Sequence, residues 1–139
     1  MGKTTEKVIV KNFGDILKAS EGLISEEAIR MVEVDDAVVD TGAAFLCLPP
    51  EVIAKLGLMY AHSRKVLTAN GEVNRRIFSV ASITIQGREI RMDVMENDET
   101  TPPLIGYLVL ENMDLVVEAK SQKVTPNPEH DGKWVTDLF

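Results

Sequence analysis

Two turn dipeptides constrain the fold of this chain more than any other feature. Asn70-Gly71 and Gln86-Gly87 each lie between stretches in which apolar and polar residues alternate. Asn-Gly between such arms is a strong hairpin signal, because the favoured tight turns need backbone angles that Asn and Gly adopt easily. The arms of the first hairpin are expected at 64–68 and 73–80. The second hairpin has Ile83 and Ile85 before its turn and Ile90, Met92 and Val94 after it. A period of two places alternate side chains on one face, as a half-buried strand requires.

The same reading extends along the chain. "KVIVKNF", residues 7–13, reads as a strand with Val8, Val10 and Asn12 on one side. Gly14-Asp15 reads as a turn, and "ILKASEGLI" as a second strand or a loop. Ile29, Met31 and Glu33 alternate with Arg30, Val32 and Val34, and Asp35-Asp36 is expected to break that strand as a hairpin turn. "AVVD" then restarts as a short buried strand ending in Asp40. "LPPEVIAKLGL" carries helix signals: Pro50 at a first helical position, Glu51 at the positive end, and Gly57 as a left-handed stop. After a polar loop at 96–103 come an apolar run, a short helix around 108–112, and a hairpin turning near Ser121-Gln122. Many short strands with regular turns predict an all-β sandwich or small barrel.

Composition narrows the function classes. A length of 139 residues favours one domain spanning 1–139, and 45% hydrophobic residues supply one core. With 5% aromatics, that core must be aliphatic. Fifteen Lys and Arg against 22 Asp and Glu give a formal charge of -7, which argues against a nucleic-acid partner. No stretch approaches the roughly 18 apolar residues of a membrane span. The N-terminus lacks the apolar core of a signal peptide, and Glu6 stands where a myristoylation signal after Met1-Gly2 wants Ser or Thr. Cys47 is the single cysteine, so no intrachain disulfide forms and a cytoplasmic location is expected. His62 reads as a surface residue. His130-Asp131 has no spaced partners, so no metal and no cofactor are expected.

"VVDTGAAFLCLPP", residues 38–50, then raises a chemical question. An aspartate in an apolar run is costly unless it is hydrogen-bonded, paired or protonated. Downstream lies "PLIGYLVL", residues 103–110, and the hairpin "TANGEV" falls between the two. In this order the segments resemble the retroviral-type aspartic proteases, the retropepsins. "DTGAAFLCLPPEVIAKLGL" and "MDLVVEAKSQKVTPNP" look like the bacterial and archaeal cytoplasmic branch of that family. The resemblance covers residues 8–128, leaving 1–7 and 129–139 as terminal extensions.

The resemblance implies a small closed barrel of the retropepsin type with one or two short helices. It also implies an aspartic endopeptidase acting on extended peptide substrates, with Asp40 as a catalytic carboxylate. Thr41, Gly42 and Ala43 would form the active-site loop, with Thr41 locking two such loops together. Leu104, Ile105 and Gly106 would support the loop from behind. Thr68, Ala69, Asn70 and Gly71 would form the flap over the substrate. Alanine at 43 offers no hydroxyl to the ionised dyad, so activity is expected nearer neutral pH than in relatives with Ser or Thr there.

Acid-base hydrolysis of this kind needs two carboxylates sharing a proton. Asp15, Asp93, Asp98, Asp114, Asp131 and Asp137 are not followed by Thr-Gly or Ser-Gly. The second carboxylate is therefore expected from Asp40 of another copy, across the two-fold axis of a homodimer. The flap departs from the glycine-rich retroviral pattern and carries Arg75 and Arg76 beside its tip. A rival reading with the same residues is a dimeric peptide-binding or scaffolding module with little proteolysis. A weaker one is a β domain in which Asp-Thr-Gly is ordinary turn chemistry.

Overall fold

The structure, a computed structural model, describes residues 3–138. Met1, Gly2 and Phe139, which belong to the expected terminal extensions, lie outside the described residues. Nine strands and three short α-helices follow in the order β1 (Thr5–Asn12), α1 (Phe13–Ser20), β2 (Met31–Val39), β3 (Leu46–Leu48), α2 (Pro50–Leu56), β4 (Met59–Thr68), β5 (Gly71–Ile85), β6 (Arg88–Glu96), β7 (Leu104–Ile105), α3 (Tyr107–Met113), β8 (Leu115–Glu118) and β9 (Lys123–Pro126). Six strands close into a ring, β1-β2-β7-β3-β6-β5, because β5 also pairs with β1. The fold is thus all-β and barrel-like, with one helix more than expected. Strand β4 continues outward from β5, and β8 and β9 form a separate hairpin. No helix among the described residues is long and apolar enough to cross a membrane.

The alternation in sequence becomes the inner face of the ring. Val8, Val10, Leu46, Leu48, Ile83, Ile85, Val94 and Ile105 are buried there, and Ile53, Leu56, Val109 and Met113 pack on them from α2 and α3. Aliphatic side chains of this kind interdigitate densely and bury apolar area without polar atoms to satisfy. Gln86 and Gly87 have φ of 50° and 81°, the mirror-image turn that matches strand twist. Helix α2 starts at Pro50 and ends at Gly57 in the left-handed region, as its sequence signals predict.

Three local expectations are corrected. Gly14-Asp15 and the residues up to Ser20 are helical, not a turn followed by a strand or a loop. Asn12 caps α1 by accepting from the Asp15 N–H at 3.0 Å, which satisfies one of the free amides of the first turn. Asp35-Asp36 does not break β2; Glu6 pairs Ala37 but Val8 pairs Val34, so a bulge absorbs the extra residue and both aspartates face solvent. In the first hairpin, Thr68 pairs Gly71, so the turn residues are Ala69 and Asn70 rather than Asn70 and Gly71. The Thr68 hydroxyl accepts from the Asn70 N–H and donates to the Gly71 carbonyl, fixing that register.

Candidate active site

Asp40 is the first residue beyond β2, and its position is set by backbone pairing on both sides. Strand β7 lies parallel to the end of β2, with Val38 opposite Leu104 and Val39 opposite Ile105. The same two residues pair antiparallel with Leu46 and Cys47 of β3. Leu104 and Ile105 therefore clamp both arms of the 40–45 loop. The Asp40 N–H donates to the Ile105 carbonyl at 3.0 Å, extending the ladder by one bond.

The loop closes on itself. The Gly42 N–H donates to Asp40 Oδ1 at 2.9 Å, and the Ala43 N–H donates to the Asp40 carbonyl at 3.1 Å. These bonds hold the carboxylate at the loop, while Thr41 and Gly42 stay exposed. Helix α3 begins directly behind. Its Tyr107 and Leu108 N–H groups donate to the Ala43 and Ala44 carbonyls at 2.8 and 3.1 Å. Amides that a helix start normally leaves free are thus used to fasten the loop. Gly106 is buried against that same backbone, where no side chain fits.

A groove of about 900 Å³ runs from this loop to the tip of the β4–β5 hairpin. Asp40, Gly42, Ala43 and Leu104 line one side, and Val66, Leu67, Thr68 and Ala69 line the other. The expected loop and flap residues are thus brought together only in part. Asn70, Gly71 and Thr41 are exposed and do not line the groove, and Ile105 and Gly106 are buried outside its lining. Its wall also includes Cys47, Arg75, Met95, Asn97 and Tyr107. Of these, Arg75 carried a sequence signal, as a charge next to the flap. Asn97 and Tyr107 carried none, because their approach depends on β6 and α3 packing beside the loop.

Among the described residues, Asp40 is the one carboxylate that lines this groove. Burial, reinforced by the Asp40 charge, pushes the Cys47 thiol up to about 11, which leaves it protonated and packed with Ile77 and Met95. His62 is exposed and accepts from Arg64 Nε at 2.8 Å. His130 pairs with Asp114, not Asp131, and no group of three metal-ligating side chains occurs among the described residues.

No curated protein matches the chain. A family profile does, over residues 28–112, a span that runs from just before β2 to α3 and includes the Asp40 loop, the β4–β5 hairpin and β7. That profile is described as "gag-polyprotein putative aspartyl protease". The match covers more than half of the chain, and its ends enclose the whole groove, so the chain belongs to the retropepsin-like aspartyl protease family.

Proposed function

We propose that this protein is an aspartic endopeptidase whose catalytic pair is Asp40 of one chain and Asp40 of a second copy. The reading rests on one observation: among the described residues the groove between loop and hairpin has a single carboxylate, although the family chemistry uses two. A two-fold axis beside the exposed Thr41-Gly42 tip brings identical loops together, and with them identical acids. Residues 1–139 act as one domain in this reading, because the core cluster extends from Val8 in β1 to Val124 in β9. The protein works in the cytoplasm on extended peptides, which lie between the Asp40 loop and the β4–β5 flap.

The chemistry follows from the shared proton. The ionised carboxylate accepts a proton from a bound water as the water oxygen attacks the scissile carbonyl carbon. The partner carboxylic acid gives its proton to the carbonyl oxygen. The gem-diol intermediate then collapses: the carboxylic acid of the dyad protonates the amine nitrogen as the C–N bond breaks, and the ionised carboxylate takes a proton from a gem-diol hydroxyl, so the dyad again holds one shared proton. Bonds from the Gly42 and Ile105 backbone hold Asp40 in place, so little reorganisation accompanies the step.

Incubation with a diverse peptide library, followed by mass spectrometry, tests the reading. Cleavage is expected with the native chain and is lost in Asp40→Asn. Equal amounts of native and Asp40→Asn chains, allowed to exchange at fixed total protein, should show about a quarter of native activity. That fraction is the statistical share of fully native pairs. An activity near one half would mean that each chain works alone. Binding of peptides without any cleavage would favour the scaffolding module instead.

A further inference from the structure

The groove contains two hydrogen-bond donors whose acceptors are missing or poor. Arg75 lies on β5 in the same alternating set as Val73 and Ile77, whose face turns inward. Its side chain is only 28% exposed, yet its nearest acid is Asp98, with 4.0 Å between Nη2 and Oδ2. Asp98 Oδ1 accepts from the backbone and hydroxyl groups of both Thr100 and Thr101, so only Oδ2 faces Arg75, at the outer limit of an ion pair. The other bond from Arg75 is a long one, 3.3 Å to the Asn74 carbonyl. Neighbouring Arg76 differs sharply, since it forms a two-pronged pair with Glu96 at 2.8 Å in each arm. A guanidinium that is half withdrawn from water without a matched fork of acceptors is an unsatisfied recognition group.

Asn97 lies on the same wall. Its Nδ2 is buried and, among the described residues, has no hydrogen-bond partner. A buried donor of this kind carries a desolvation penalty that an incoming acceptor relieves. Asp40 and Arg75 also both act on the Cys47 thiol, one raising and one lowering its titration, and all three line the groove. The ionisable groups lining the groove are Asp40, Cys47, Arg75 and Tyr107. Glu96, Asp98 and Glu99 line a neighbouring pocket that Arg75 and Asn97 also border, where Arg76 neutralises Glu96.

We propose that Arg75, with Asn97 beside it, forms a subsite that takes an acidic side chain of the bound peptide. The carboxylate of a Glu or Asp near the scissile bond accepts from the Arg75 guanidinium, and its second oxygen accepts from Asn97 Nδ2 once that amide, shielded from solvent in the free protein, turns to face the groove. This deepens the protease reading and rests on it for the word substrate, though not for binding. The chain as a whole is acidic and does not steer such peptides by net charge. The preference therefore acts locally, at one peptide position.

Matched peptides carrying Glu, Gln or Lys at each position test the proposal by their kcat/KM ratios. The native protein should favour Glu over Gln by about tenfold or more at one position. Arg75→Gln should bring that ratio close to one, and Arg75→Lys should retain part of it by keeping the charge without the fork. Lys120→Gln, at the remote β8–β9 turn, removes the same charge and should leave the ratio unchanged. Equal cleavage of Glu and Gln peptides at every position, or a preference that survives Arg75→Gln, overturns the subsite. If no peptide is cleaved, the protease reading fails, and the same peptides are titrated by fluorescence anisotropy. Tighter Glu binding that Arg75→Gln abolishes then sustains the subsite, and equal binding of Glu and Gln peptides rejects it.

Discussion

A β-carbon on Gly106 would come within 2.5 Å of the Ala44 carbonyl carbon, and the carbonyl oxygen of Phe45 would be closer still. Both are backbone atoms held by β7 and α3, so neither can rotate away. Gly106→Ala should therefore destabilise the protein by about 3 kcal/mol, at the upper end of overpacking. It should also displace the Asp40 loop, because the Asp40 N–H bonds the adjacent Ile105 carbonyl. Urea unfolding checks the first effect and peptide cleavage the second. A stability loss well under 1 kcal/mol would show that the loop yields freely.

Acid should unfold the protein through identifiable carboxylates. Asp15 is buried and accepts from the Arg30 N–H, Nε and Nη2 at 2.8–3.0 Å. Those bonds pull its carboxyl down to about 2 against an ordinary value of 3.8. The folded value lies below the unfolded one, so the stabilisation is complete above about pH 4 and is lost as pH falls towards 2. Asp98, lowered to about 2 by Thr101 and Thr100, titrates in the same limb, and the His130 hydrogen bond lowers Asp114 in the same direction. Asp15→Asn should cost about 2 kcal/mol at neutral pH and flatten, without removing, the acid dependence of chemical denaturation. A dependence identical to that of the native protein would disprove this assignment.

Gly57 ties α2 to the same ion pair. It sits at φ +63°, and a β-carbon there would meet the Arg30 guanidinium, whose central carbon would be 2.5 Å away. Gly57→Ala should cost about 1–2 kcal/mol, from the left-handed backbone and the displaced side chain together. In an Arg30→Ala background only the backbone part, about 1 kcal/mol, should remain. Thermal unfolding of the double-mutant cycle reads the difference.

Leu67 is 81% exposed beside the groove, a position no core requires. Leu67→Ala should change stability by less than about 0.5 kcal/mol, as surface substitutions usually do. Its kcat/KM for apolar peptides should fall about tenfold if the hairpin tip covers the substrate. Unchanged kinetics would remove this residue from the flap.

If the proposed dyad operates, position 43 should influence the pH range of activity. Its side chain offers no hydrogen bond to the carboxylates, whereas a serine hydroxyl would favour their ionised form. The native activity profile should lie near neutral pH, and Ala43→Ser should move its acidic limb to lower pH. A native optimum in strong acid, or an unmoved limb in the variant, would count against the expectation.

The elements with local causes were legible in the sequence. The Gln86-Gly87 turn, the Pro50–Gly57 helix signals and the alternating Ile, Val and Met residues each act over a few residues, and the structure follows them. Helix α1 was legible in principle, since Asn12 stands three residues before Asp15 in the manner of a capped start. Gly14 obscured it. The hairpin register was misjudged by one residue because the Thr68 hydroxyl competes with the Asn-Gly preference.

Asp40 and its apolar neighbours could be singled out from the sequence alone, because an acid between two valines and Thr-Gly-Ala is a local oddity with a family pattern. What surrounds that acid was decided by tertiary structure. Leu104 meets both Val38 and Cys47 only when β7 inserts between β2 and β3. Arg75 and Asn97 share a wall only because β5 and the loop after β6 converge there. Asp15 finds Arg30 only after β1 and β2 pair, for Arg30 accepts at its carbonyl from the Asn12 N–H. Such meetings depend on chain closure over long separations, and no short window of residues encodes them. Local sequence chose the turns, the strand faces and the acid; the closed ring of strands chose that acid's neighbours.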